Sequence, residues 1–114
     1  MAQGRGSCFT LRWLMQPTTY VVGDAAGWTF NVNNWPNGKS FMAGDILEFR
    51  YNRFFHNVLQ VSAEGYKRCI PTLDSKLYWS GDDHIQLNPG LNYFICGFPF
   101  HCLRGMKLAI NASH

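Results

Sequence analysis

A β-sandwich of short, antiparallel strands is the fold class this sequence predicts. Three observations predict it. Short apolar and β-branched runs recur along the chain, the clearest with a two-residue alternation; clusters of Gly, Pro, Asn and Asp separate them; and no stretch carries the 3.6-residue apolar period of a long helix. The 114 residues are enough for one domain, and the 46% hydrophobic and 16% aromatic content predicts a packed core and not disorder.

Taken in order, the first strand is expected at Tyr20–Val22, closed by Gly23-Asp24. Gly27-Trp28 and the run Asn33-Asn34-Trp35-Pro36-Asn37-Gly38 read as turns. Ile46–Tyr51 alternates, with Leu47, Phe49 and Tyr51 on one face and Glu48 and Arg50 on the other, the pattern of a half-buried strand. Asn57–Ser62 is a further strand, and Glu64–Ile70 has room for one short helical turn. Leu77–Ser80 and His84–Leu87 flank the turn Gly81-Asp82-Asp83, and Asn88-Pro89-Gly90 turns the chain into Leu91–Cys96. The last strand is Lys107–Asn111, with Leu108 and Ile110 inward. Nothing supports a βαβ unit.

A net charge of +3, from ten Lys and Arg against seven Asp and Glu, is mildly basic and favours negatively charged partners only weakly. No basic run is interleaved with aromatics, so nucleic-acid binding is not expected, and no apolar run is long enough to span a bilayer. Residues 1–16 read as an atypical leader: Arg5 lies among small residues as in a signal's start, but Arg12 interrupts the apolar stretch that should follow. A native N-terminal arm is the other reading of that segment. The globular domain is placed at 17–114.

Chemistry concentrates in Cys96-Gly97-Phe98-Pro99-Phe100-His101-Cys102-Leu103-Arg104-Gly105-Met106. Cys96, His101 and Met106 follow one another at intervals of five, and Gly97, Pro99 and Gly105 prevent a regular helix. The segment is therefore a loop between two strands, able to aim a thiolate, an imidazole and a thioether at one point. Two His and one Cys in a plane with a weak axial Met is the blue-copper arrangement. His56, in Phe54-Phe55-His56-Asn57-Val58, is the best second imidazole; His84 and the terminal His114 read as solvated. Zinc on His56, Cys96 and His101 is the rival ion, and an inert buried thiol at Cys96 the plain alternative. Of four cysteines, Cys8 lies in the leader. If Cys96 is a metal thiolate, Cys69 and Cys102 remain to pair, which implies an oxidising compartment.

At these residues the chain resembles the plant phytocyanins, in the plantacyanin or basic blue protein branch. The matching pieces are Tyr20-Val21-Val22-Gly23-Asp24, Gly27-Trp28, Trp35-Pro36-Asn37-Gly38-Lys39, Phe41-Met42-Ala43-Gly44-Asp45, Phe55-His56-Asn57-Val58, Tyr93-Phe94-Ile95-Cys96, His101-Cys102 and Gly105-Met106-Lys107. The resemblance implies an all-β, cupredoxin-like Greek-key sandwich of two sheets. It implies one type 1 copper held by His56, Cys96, His101 and Met106, and a Cys69–Cys102 disulfide. Met106 sets the chain apart from stellacyanin-type relatives, which carry Gln at the axial position.

The function so implied is one-electron transfer by Cu(II)/Cu(I) cycling with a redox partner, small molecule or protein, by a monomer that is not an enzyme. The alternative is an extracellular signalling or cell-wall interaction module in plant reproduction, with copper mainly structural. The resemblance also implies secretion to the apoplast. Two departures stand out: the leader lacks a normal apolar segment, and Phe100 stands where the family usually has Gly, where its ring would cover the imidazole edge or alter docking. No Pro- and Ser-rich tail follows, so a lipid anchor is not expected. Asn111-Ala112-Ser113 is an N-glycosylation sequon.

Overall fold

The alternation at residues 46–51 becomes a strand, Ile46–Arg50, with Leu47 and Phe49 fully buried. The computed structural model describes residues 16–114; Cys8 and all but the last residue of the expected leader lie outside the described residues. Among the described residues eight strands follow in order: β1 (Thr19–Val21), β2 (Phe41–Met42), β3 (Ile46–Arg50), β4 (Val58–Val61), β5 (Lys76–Tyr78), β6 (Asp82–Gln86), β7 (Gly90–Ile95) and β8 (Lys107–Ser113). Among the described residues one α-helix, α1 (Ala63–Arg68), lies between β4 and β5. It starts where the Ser62 hydroxyl accepts the Gly65 N–H at 3.1 Å.

The strands form two sheets, β1-β3-β6 and β2-β8-β7-β4-β5. The expectation of purely antiparallel pairing needs correction: β1 runs parallel to β3, and β2 parallel to β8. Both are short strands at sheet edges, added by long connections, a geometry that sequence alternation does not specify. Strand β2 was not expected at all, since two residues are too few to show a period. Asp82 and Asp83, read as a turn, instead begin β6, opposite Arg50 and Phe49.

Between the sheets lies the main core. Leu47, Phe49 and Ile85 come from the smaller sheet, and Val58, Phe94, Leu108 and Ile110 from the larger. Phe49 stands between Trp28 and Phe94, with ring centroids 5.0 and 5.1 Å away. The outer face of the larger sheet is covered in part by α1, where Val61, Ile95 and Cys102 pack with Tyr66 and Tyr93. That second cover explains why the consecutive residues Phe94 and Ile95 are both buried.

Two buried polar side chains hold loops rather than ligands. Asp45 accepts the N–H groups of Thr18 and Met42 at 3.0 and 2.9 Å. Asn92 accepts from Asn88 N–H and donates to the Asn88 and Gly90 carbonyls, bracing the expected turn before β7. Glu48, expected on a polar face, is buried beside Arg50 and His84. Among the described residues no helix is long and apolar enough to cross a membrane.

Candidate metal centre

Three neighbouring strand ends gather the candidate donors. β7 pairs with β4 in the register Leu59↔Ile95, and with β8 in the register Ile95↔Lys107. Carrying each ladder one step beyond Ile95 sets Cys96 between Val58 and Met106. The Cys96 N–H accordingly donates to the Met106 carbonyl at 3.1 Å. One step further, Gly97 N–H donates to the Asn57 side-chain oxygen at 2.6 Å. His56 precedes Asn57 and is set by a turn in which Asn52 accepts the N–H groups of Phe54, Phe55 and His56.

The fourth group is aimed by the loop itself. His101 N–H donates to the Phe98 carbonyl, and Met106 N–H returns to the His101 carbonyl at 3.1 Å. A single 3₁₀ turn, Cys102–Arg104, is the only helical geometry in the segment. Gly105 reverses the chain at φ +84°, where a Cβ would stand 2.9 Å from the Asn31 Cα. Glycine is therefore required there twice over, by conformation and by space.

The result is a compact set of donors. Cys96 Sγ lies 3.6 Å from His101 Nδ1 and 4.0 Å from His56 Nδ1, and the two Nδ1 atoms are 3.1 Å apart. A trigonal first-row ion with bonds of about 2.0 Å to nitrogen and 2.3 Å to sulfur needs donor separations of roughly 3.5–3.7 Å. The three distances bracket that requirement, so the donors fit such an ion. Cys96 is a free thiol, 1% exposed, and Met106 is fully buried next to it in the ladder; both imidazoles are half-buried.

Electrostatics acts differently on the two shifted donors: it disfavours the Cys96 thiolate and favours the neutral His56 ring. Burial pushes the Cys96 thiol up, while backbone hydrogen bonds at Asn57 and Phe98 oppose that rise by favouring the thiolate. Burial, and then the neighbouring His101, lowers His56, which favours the neutral ring a metal requires.

Aromatic rings frame the two imidazoles. Phe30 meets His56 and His101 edge-on at 5.7 and 4.9 Å, and Phe98 stacks on His101 at 5.8 Å and 17°. With Phe55 they line a cleft of about 370 Å³. Arg104 sits 4.3 Å over the Phe30 ring. Phe100 does not cover the imidazole edge: it points out, 75% exposed, with its backbone at φ +68°.

The structure thus brings His56, Cys96 and His101 together, with Met106 adjoining through the backbone. Cys69 and Cys102 form a disulfide, so His101 is tied through its neighbour to the end of α1. His84 belongs to a separate group with Glu48 and Asp82, and His114 is exposed. Two residues that shape the centre were not singled out from sequence. Asn57 had a signal, since it directly follows His56. Phe30 had none, since it lies in a stretch with no motif.

Comparison with known proteins agrees with this geometry. A plastocyanin-like domain profile matches residues 28–106. A basic blue protein of Cucumis sativus is 54% identical over 93 residues, covering 82% of this chain and 97% of that protein. A chemocyanin of Lilium longiflorum is 50% identical over 98 residues, covering 86% of this chain and 78% of its own. Among solved structures, cucumber basic protein, a blue copper protein, superposes with a TM-score of 0.82 at 53% identity, covering 83% of this chain and 99% of that one. Spinach plantacyanin superposes at 0.72, also at 53% identity, covering 76% and 94%. The two-sheet architecture is that of the cupredoxin fold.

Proposed function

The chain belongs to the plastocyanin-like family, among the phytocyanins, and on that footing we propose that it is a blue-copper carrier of single electrons. Its cofactor is copper, one per chain, which supplies a one-electron Cu(II)/Cu(I) couple. His56, Cys96, His101 and Met106 are proposed as the residues that would hold it. The observation that carries this reading is the convergence of a free, buried thiol with two imidazole nitrogens from separate parts of the chain. The adjoining thioether of Met106 favours copper over zinc, because two imidazoles, a thiolate and a weak thioether are the blue-copper donor set, whereas zinc sites are built from Cys, His and carboxylates.

The remaining roles follow from the residues. The strand ladders and the Cys69–Cys102 bridge hold the donors in one arrangement, which limits reorganisation when charge changes. Phe30 and Phe98 keep water from the His101 ring on two sides. Part of that ring still lines the open cleft, and electrons are proposed to pass there to and from a partner. The four donors make up a complete type 1 set, so the reading is of a carrier and not of an enzyme.

Residues 17–114 are proposed as the functional domain, acting as a monomer. The disulfide supports an oxidising location outside the cytosol, in keeping with secretion. Asn111 is exposed on β8 and is proposed as a glycosylation acceptor.

The test is a visible and spin-resonance spectrum of the purified protein with added Cu(II). An intense blue thiolate-to-copper band is expected, and Cys96→Ser should abolish it. A variant that stays blue would remove Cys96 from the centre.

A further inference from the structure

Apart from the metal centre, a second cleft of about 400 Å³ is lined by Arg53, Leu77, Tyr78, Trp79, Ser80 and Asp83. The Arg53 guanidinium lies 4.8 Å from the Trp79 ring centroid and 6.0 Å from that of Phe54. A guanidinium over an aromatic face keeps N–H groups available to an acceptor.

The nearby carboxylates are already engaged. Asp83 accepts from the Ser80 hydroxyl at 2.6 Å and from the Tyr51 hydroxyl, and Asp82 lies 3.3 Å from His84. Among the described residues Arg53 makes no ion pair. Beside this cation, which shares the cleft with the Asp83 carboxylate but forms no ion pair with it, Trp79 is 61% and Leu77 56% exposed, an apolar pair left in water at the edge of the larger sheet.

A carboxylate matches an arginine fork with two parallel hydrogen bonds, and the indole and leucine offer apolar surface to whatever bears that carboxylate. We propose that this cleft binds a carboxylate carried on a six-membered ring, with Arg53 taking the charge and Trp79 and Leu77 the ring. Two sources present that chemistry: a uronic-acid unit of an acidic polysaccharide, and a free aromatic carboxylic acid. Binding here is independent of the electron-transfer reading, since no proposed copper donor lines the cleft.

The test uses the full chain, copper-loaded and reduced, followed by NMR during titration with trigalacturonate, benzoate, acetate and neutral maltotriose. Trigalacturonate or benzoate is expected to shift the Trp79 indole N–H and the Arg53 Nε–H saturably, and the tighter of the two identifies the source. Acetate and maltotriose should bind about tenfold more weakly or worse, since each lacks one half of the ligand. Arg53→Gln should weaken the preferred probe by about tenfold or more, and Arg53→Lys by less, with the blue band of the oxidised protein unchanged as the sign of an intact fold. The proposal is overturned if neither ring acid shifts those signals, if acetate binds as well, or if both Arg53 variants bind like the native chain.

Discussion

Replacing Phe100 by glycine should make this protein more stable, not less. Phe100 sits at φ +68°, the left-handed region, where an L-residue with a side chain costs roughly 1–2 kcal/mol. Its ring returns little of that, being 75% exposed. Glycine relieves the strain but loses more backbone freedom on folding, about 0.5–1 kcal/mol. The balance favours Phe100→Gly by about 0.7 kcal/mol, which for a domain near 100 residues raises Tm by about 3–6 °C. Thermal unfolding of the copper-free protein, followed by circular dichroism, measures it. Phe100→Ala is the control, because it removes the ring and keeps the strain; it should change stability by about 0.5 kcal/mol or less. A glycine variant that melts at or below the parent temperature would refute the reasoning, and an alanine variant that loses more than about 1 kcal/mol would show that the ring packs against something.

Asn57→Ala should cost about 1 kcal/mol, because Gly97 N–H loses its acceptor, and should also shift and broaden the blue band as the Cys96 loop loosens; denaturant unfolding and the visible spectrum report the two effects. Replacing both Cys69 and Cys102 by alanine opens a loop with a sequence separation of 33 and should cost about 4 kcal/mol, read as a lower denaturation midpoint. Without copper, stability should fall in acid because the His56 ring is held below its ordinary value of 6.5 when folded. The unfolded chain then binds the extra proton, so this contribution is complete above about pH 6.5 and is lost as pH falls through the lowered folded value. Tm measured from pH 7.5 down to 5 should show that decline, and His56→Gln should flatten it.

The part of the candidate site on the C-terminal loop was legible because its chemistry is local, whereas His56 could be offered only as the best second imidazole. Cys96, His101 and Met106 lie on one short loop whose Gly and Pro residues forbid a helix, and those residue types together suit copper. Most strands could be read for the same reason: alternation in β3, and the turn residues before β6 and β7, act over a few neighbouring positions. The ends of β6 and β8 were less clear: Asp82 looks like a turn residue yet pairs with Arg50, and β8 runs past the expected end at Asn111 to Ser113, with Ala112 opposite Gly90.

Sequence by itself pointed to a β-rich domain and to a metal with sulfur and imidazole donors, copper before zinc, and it left Cys69 and Cys102 to pair only if Cys96 is a metal thiolate. Only the tertiary structure decided that β1 and β2 run parallel to their partners, that Glu48 is buried, that Phe30 stands against both imidazoles, and that Phe100 faces water. The physical reason is range. Periodicity and turn chemistry follow from adjacent residues, whereas which strand lies beside which, and which ring meets which, depend on contacts between residues tens of positions apart that exist only once the two sheets have packed.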